Sequence, residues 1–341
     1  MASAVHIIGA GLAGMAAAAS LRNKGFAGEI FLYEAAKHIG GRCYSFVSPV
    51  LGVKIDNGNH MMLKANHNLL TFLEIINSSA KKELYPYFPS IKYFSFNIKG
   101  LWRLGVVSVL NTEYNKADKI LYLKTILKSL RNPYPLFAAN TLEDVFAKPF
   151  QTFANAQKIK IEYGKKCIGY EEGKLIFAAS ETESSAEDKV IWALPQQSLA
   201  RIFNLPILPH NPISNIHFLL SPKERPFAFV GKINGAAEWF KIKGNILSAT
   251  ISAANNPDIF VIKEEAKEIF NLNNDDFIAN SVICEKRATM SQDKETLIKR
   301  NRILKSLPKN IIIAGDWTQE NLPCTMEAAI TSGFKAAQEV L

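Results

Sequence analysis

AVHIIGAGLAGMAAAASLRNKGFAGEIFLYE, residues 4–34, is the stretch whose reading decides the fold. AVHII (Ala4–Ile8) has strand composition, GAGLAG follows at once, an alanine-rich helical run extends to Lys24, and EIFLY (Glu29–Tyr33) is a second strand. Gly25 stands where that helix should end. Strand, glycine turn, helix and strand within about 30 residues make a βαβ unit, the opening of a doubly wound nucleotide-binding fold. Gly9 supplies the tight turn, Gly11 the close approach of backbone to a pyrophosphate, and Gly14 the close contact of helix and strand. Ala10, Leu12 and Ala13 complete the turn and open a helix whose free amides and positive dipole end face the phosphates. Glu34, at the end of the second strand, is placed to accept hydrogen bonds from a ribose. A lone GxGxxG is weak evidence and fits a glycine-rich turn in another α/β protein. Here strand, glycines, helix, second strand and acid agree on a dinucleotide.

Working outward, a chain of 341 residues with 48% hydrophobic and 21% charged residues can bury a large core and hold more than one domain. The apolar stretch Leu12–Ala19 is short and lies inside the glycine motif, so neither a secretory signal nor a membrane span is expected, and a cytoplasmic protein is. Cys43, Cys167, Cys284 and Cys324 form no CxxC pair, which argues against a zinc site and a disulfide framework. The net charge of +9 favours an acidic partner or an anionic membrane surface. Nucleic acid is not expected, because the basic residues carry no RNP, zinc-finger or helix-turn-helix pattern.

Beyond the first unit, helices are predicted at Leu69–Ile76 and Lys116–Arg131 and a strand near Ile91–Phe96. Two apolar strands, Lys158–Tyr163 and Val190–Leu194, flank a polar hairpin and the loop ETESSAED. VIWALP (Val190–Pro195) reads as a buried parallel strand. A mixed strand region follows from Ile213 to Ile262, then IIIAGD (Ile311–Asp316) and a terminal helix from about Glu327. The fold expected is α/β: a discontinuous Rossmann-like domain from residues 1–65, 158–205 and 295–341, with an inserted α+β substrate domain from 66–157 and 206–294.

The glycine fingerprint alone does not choose between NAD and FAD, which share the adenosine diphosphate half. Two features favour FAD. In IGGRCYSF (Ile39–Phe46), Gly40 and Gly41 let backbone pass close to a ligand and Arg42 offers a planar cation to a phosphate. In IIIAGDW, a buried strand ends in Gly315 and Asp316 ahead of the last helix. GGR alone would be an ordinary turn. Together with GxGxxG and the acid, in this order, these motifs resemble the flavin amine oxidase and phytoene desaturase superfamily. That resemblance implies that Glu34 binds the adenosine ribose, Arg42 the phosphates and Asp316 the ribityl or phosphate region. It also places the strand around Cys167 beside the adenine, with Cys167 acting through its backbone.

IDNGNH (Ile55–His60), SNIHFLL (Ser214–Leu220), AEWF and LSATISAA within Ala237–Ala254, EKRATMSQ (Glu285–Gln292) and AGDWTQENLPCTMEAAITSG (Ala314–Gly333) narrow the match. They resemble the squalene-associated FAD-dependent desaturases, or hydroxysqualene dehydroxylases, of squalene and hopanoid synthesis. The resemblance implies an isoprenoid substrate, reductive removal of its hydroxyl with hydride from reduced FAD, and neighbouring enzymes of squalene synthesis. It also implies a longer helical segment than the residues 142–158 that stand between Thr141 and Ile159.

The candidate proton donors are Asp56 and His60, histidine being the natural acid near neutral pH. The alternative for this stretch is a turn that holds the cofactor by backbone contacts at Gly58, with Asp56 and Asn57 capping it locally. Glu327 is a candidate cofactor contact or simply an acid suited to a helix's first turn. His217, in an apolar run, reads as a hydrogen-bonded core residue. ADKILYLKTILKSLR (Ala117–Arg131) puts Ile120, Leu123, Leu127 and Leu130 near one face and Lys119, Lys124, Lys128 and Arg131 elsewhere. Such a basic amphipathic helix rests peripherally on an anionic membrane, or packs on its own domain with its lysines in water. Other enzymes of the superfamily that pass hydride to the flavin, a degenerate flavin binder, and an NAD-dependent dehydrogenase remain rival readings.

Overall fold

The computed structural model describes residues 4–78, 84–87, 89–92, 97–138, 140–178, 180–183, 188–308 and 310–341. A parallel five-stranded sheet runs in the order Ile312–Ile313, Lys189–Trp192, β1 (Ala4–Ile8), β2 (Glu29–Glu34), Ile159–Tyr163. β1 is central and buried throughout, because both faces of a parallel sheet are covered. Val5 and Ile7 share one core with Ile30, Leu32 and Ile191, against α1 (Leu12–Asn23) and the last helix, Met326–Val340. Ile8, Tyr33 and Trp192 point the other way, onto Leu175 and Phe177 of the antiparallel hairpin Cys167–Phe177. This alternation follows from the two-residue period of a strand. In α1, Leu12 to Leu21 are all buried; small alanines let the helix lie close to the sheet and to its partner helix.

The second sheet has six strands in the order Phe277–Met290, His210–Leu220, Ile246–Ser252, Trp239–Lys243, Ala228–Lys232, Ser90–Lys92. The predicted strand region of Ile213–Ile262 ends earlier than expected: Asp258 caps a helix, Ile259–Phe270, by accepting from the Val261 amide at 3.1 Å. Ile262 and Ala266 of this helix cover one face of the sheet with Ile216, Phe218, Phe240 and Leu247. The other face carries Asn215, Trp239 and Thr250. The strand predicted at Ile91–Phe96 is present at Ser90–Lys92, and residues 93–96 lie outside the described residues.

Helix Ile98–Leu110, capped by Asn97, has no counterpart in the sequence prediction. Gly100 and Gly105 hide it, since glycine disfavours helices by about 1 kcal/mol each. Tertiary contacts require them: a Cβ on Gly105 would stand 2.1 Å from the Tyr122 hydroxyl, and one on Gly100 2.3 Å from Ile233. Tyr122 belongs to helix Lys119–Ser129, which falls inside the predicted Lys116–Arg131. His67–Ile75 and the segment Glu143–Ala156 are also helical, the latter opening with a π-helical turn. Their Phe72, Phe146 and Phe150 join the core of α1, so the short residues 142–158 form a packed connection to the strand Ile159–Tyr163. Among the described residues, no helix is long and apolar enough to cross a membrane.

Candidate cofactor and active site

At the carboxyl end of β1 the chain turns at Gly9, whose φ of +105° suits glycine. A Cβ there would stand 2.4 Å from the Ala193 carbonyl oxygen, and one on Gly14 would stand 1.9 Å from the oxygen of Gly9. The second motif docks on the first: the Gly40 amide donates to the Ala10 carbonyl at 2.8 Å, and Gly11 bridges Gly40. GAGLAG and GGR thus form one side-chain-free cradle at the amino end of α1, where free amides converge. Leu12 and Ala13 line the same cavity as Gly9, Gly11 and Glu34. The Glu34 carboxylate accepts from the Ala10 amide at 3.0 Å and the Ala36 amide at 2.8 Å, which fixes it at the rim. Cys167 opens the next hairpin and lines that rim; its thiol, pushed up by burial, donates to the Gly169 carbonyl at 3.4 Å.

Arg42 and Asp316 were expected to act separately, yet they meet. Arg42 Nη2 donates to Asp316 Oδ1 at 2.7 Å, and Nη1 donates to the Ala288 carbonyl. The buried carboxylate holds the guanidinium firmly in its charged form, and the pair ties the GGR turn to the end of the last strand. Both side chains line the cavity, with part of Arg42's donor set committed inside the protein. Gly315 donates its amide to Ser332 Oγ at 2.8 Å, which anchors this turn on the last helix.

Glu327, the candidate cofactor contact in the last helix, also holds a neighbouring helix. Its two carboxylate oxygens accept from the amides of Asn68 (3.1 Å) and Leu69 (2.8 Å). It therefore caps the helix His67–Ile75, whose own Asn66 makes no cap and instead accepts from the Leu63 amide. Although Glu327 borders the cavity, its oxygens face amides, and burial raises its pKa.

Asp56 also departs from expectation. It does not line the large cavity: its Oδ1 accepts from Ser45 Oγ (2.7 Å) and the Leu142 amide (2.9 Å), beside a separate void of about 20 Å³. His60 borders both spaces. Burial lowers its pKa to about 4, so it is a neutral imidazole at pH 7. Lys241 shares the small void with Asp56 and His60, and burial lowers it to about 8 against the pull of Asp56. This lysine went unnoticed in the sequence. The signal was the alternation in WFKIK, which turns Trp239, Lys241 and Lys243 to one face. In the same cross-strand row, Ser248 stands opposite both Lys241 and His217. His217 is buried, with Nδ1 2.8 Å from Ser248 Oγ, and is held neutral with a pKa of about 4.

Between the cradle and this row lies Asn57–His60. Asn59 Nδ2 donates to Thr250 Oγ1 at 2.9 Å, Thr250 donates to Asn215 Oδ1 at 2.8 Å, and Gly58 packs against Asn215 and His60. A single cavity of about 1710 Å³ runs from the glycine cradle past these residues to Phe229 and Trp239. Sites for one small ligand occupy roughly 300–1,000 Å³, so this space has room for a dinucleotide and a second molecule.

Residues 7–76 match the model of an NAD(P)-binding Rossmann-like domain, and residues 276–341 that of flavin containing amine oxidoreductase. A hydroxysqualene dehydroxylase from Zymomonas mobilis is 29% identical, with 99% of each chain covered, and one from Rhodopseudomonas palustris is 25% identical, with 100% of this chain and 99% of that protein covered. Among solved structures, cyclohexylamine oxidase from Brevibacterium oxydans superposes with a TM-score of 0.74 at 14% identity, covering 100% of this chain and 99% of that one. A putative protoporphyrinogen oxidase from Exiguobacterium gives 0.73 at 11% identity, covering 99% and 98%. The chain is thus similar to the flavin-containing amine oxidoreductases. It is an FAD-dependent oxidoreductase. The cradle fits that cofactor: glycines whose Cβ atoms would strike backbone clear the approach, α1 offers amides, and Glu34 stands at the ribose distance in sequence. The alignment with the Zymomonas relative runs over 414 positions against 341 residues here, so at least 73 of its positions have no residue in this chain. The large cavity is present despite that shortening.

Proposed function

We propose that this flavoenzyme is a hydroxysqualene dehydroxylase of squalene and hopanoid synthesis, which replaces the hydroxyl of hydroxysqualene by hydrogen. The observation that carries the proposal is the one continuous cavity: polar and glycine-lined at the cradle, and walled elsewhere by groups such as Leu63, Ile126, Ile213, Phe229 and Trp239. A long hydrocarbon alcohol fits that division, and the names of the relatives point the same way. In the balanced reaction a proton and a hydride enter, the C–O bond breaks, a C–H bond forms and water leaves. Reduced FAD supplies the hydride. The protein's part is to hold the alcohol, exclude water and protonate the departing oxygen.

Of the two acids named from the sequence, His60 reaches the cavity and Asp56 stands behind it. We assign His60 a proton-relaying position beside the departing oxygen: its neutral imidazole passes on a proton that the Lys241 ammonium, across the small void it shares with Asp56, can supply. Trp239 and Phe229, their rings stacked 5.0 Å apart, offer faces to an allylic cation. The cofactor contacts we propose are Gly9 to Gly14, Glu34, Gly40 to Arg42, Gly58, Cys167, Gly315 and Asp316. The division into a cofactor domain (1–65, 158–205, 295–341) and a substrate domain (66–157, 206–294) belongs to the same proposal, as does work in the cytoplasm beside other enzymes of squalene synthesis.

The test is anaerobic. The protein is reduced with dithionite and mixed with hydroxysqualene while flavin absorbance and squalene mass are followed. Stoichiometric reoxidation with squalene formed is expected. Flavin that stays reduced, with no squalene, would sink the proposal.

A further inference from the structure

Helix Lys119–Ser129 does not hide the apolar face that its sequence presents. Ile120, Leu123, Leu127 and Leu130 are 66%, 45%, 64% and 62% exposed. At 100° per residue these four span an arc of about 80°. The opposite side of the helix is the packed one: Leu121 and Tyr122 are buried, Trp102 meets Tyr122 edge-on at 4.8 Å, and Thr125, Ile126 and Ser129 line the large cavity, whose mouth Lys128, Leu130 and Arg131 border at the end of the helix. The helix thus packs on its own domain with Lys124 and Lys128 in water, but through Leu121 and Tyr122 and not through the stripe of Ile120, Leu123, Leu127 and Leu130, which the fold leaves open.

Charge surrounds the exposed stripe. Between Lys119 and Arg131 the chain has four cations, Lys119, Lys124, Lys128 and Arg131, and no acid. Arg131, Lys124 and Lys128 follow the stripe on one side and Lys119 borders it on the other, as the same helical angles show. Lys124, Lys128 and Arg131 are exposed, and Lys128 also donates to the Asn321 carbonyl at 2.9 Å. Aliphatic side chains without an aromatic anchor, rimmed by cations alone, suit a lipid surface better than a protein pocket, where Trp, Tyr and Arg dominate binding.

We propose that this helix is the site where the protein docks on an anionic bilayer, lying in the interface with Ile120, Leu123, Leu127 and Leu130 turned to the acyl chains. Its inner side is a wall of the cavity, so docking sets that wall against the membrane. An apolar molecule dissolved in the bilayer then has a short path beside Ile126 to the interior. The docking surface is independent of which apolar substrate the enzyme takes.

The experiment uses the full flavin-loaded chain and sedimentation with vesicles of phosphatidylcholine, alone or mixed with phosphatidylglycerol, at 0.1 M and 1 M salt. Binding to the phosphatidylglycerol vesicles, several-fold weaker in 1 M salt, is expected, because screening shortens from about 10 Å to about 3 Å. The double variant Leu123→Gln, Leu127→Gln should bind at least tenfold more weakly while keeping its flavin and its circular dichroism. Both residues are exposed and neither lines the cavity, so they test the surface rather than folding. Absence of vesicle binding by the wild type would overturn the proposal, as would binding that the double variant retains. A wild-type dimer that the variant makes monomeric, with no lipid binding, would show that a second copy covers this face.

Discussion

Gly333 sits in the middle of the last helix, where glycine disfavours the helix by about 1 kcal/mol relative to alanine. By propensity alone, Gly333→Ala should stabilise the protein. The packing of this helix on α1 argues the opposite. An alanine Cβ would stand 2.2 Å from the Ala13 carbonyl oxygen, 2.9 Å from the Ala17 amide nitrogen and 3.0 Å from Ala16 Cβ. The first two atoms are backbone, so no side chain can turn away; the helices must part by about 1 Å to regain an ordinary contact near 3.4 Å. Overpacking of this kind costs about 1–3 kcal/mol, and a backbone contact belongs at the upper end. Net of the propensity gain, a loss of about 1–2 kcal/mol is expected, which lowers the melting temperature by a few degrees. Because α1 also presents its amino end to the cofactor, the same displacement should loosen FAD. Thermal unfolding by circular dichroism, with flavin retained after desalting measured in parallel, tests both effects. A Gly333→Ala protein that melts higher than wild type with full flavin content would refute the reasoning and show that propensity outweighs the contact.

Glu327→Ala should lower stability to urea by about 0.5–2 kcal/mol, the cost of a lost helix cap, because the Asn68 and Leu69 amides lose their acceptor. Flavin loss at unchanged stability would instead make Glu327 a cofactor ligand. Glu238, whose carboxylate accepts from the Ser252 amide at 2.8 Å, is raised to about 7 by burial, from an ordinary 4.5. The folded state therefore holds this proton more tightly than the unfolded state, and its contribution to stability falls as pH rises from about 4.5 to 7. Glu238→Gln should remove that fall and stabilise the protein on the order of 1 kcal/mol or more at pH 8, measured by urea unfolding at pH 5 and pH 8. An identical pH dependence in the variant would contradict the assignment.

The first fold unit was legible because it is local. The signals for β1, α1 and β2 lie within 31 consecutive residues, and Gly14 answers to a neighbour five residues away, Gly9, although Gly9 itself answers to the distant Ala193. The GGR and GD motifs were legible as motifs, and the structure sets both against the same cavity as GxGxxG. Helix Ile98–Leu110 was not legible, since its glycines fit Tyr122 and Ile233, partners that no local pattern reveals.

The sequence by itself therefore determined the nucleotide-binding opening, the order of motifs that marks a flavoenzyme, and the amphipathic character of Ala117–Arg131, all of which depend on spacing along the chain. Tertiary structure alone decided who faces whom. It paired Arg42 with Asp316, gave Glu327 to the amides of Asn68 and Leu69, moved Asp56 behind His60 and placed Lys241 beside them. It also decided which side of the basic helix meets the protein and which is left open. The physical reason is that a charge or an apolar face takes its partner from whatever the fold brings within a few ångströms, and residues 42 and 316 become neighbours only when the parallel sheet is assembled.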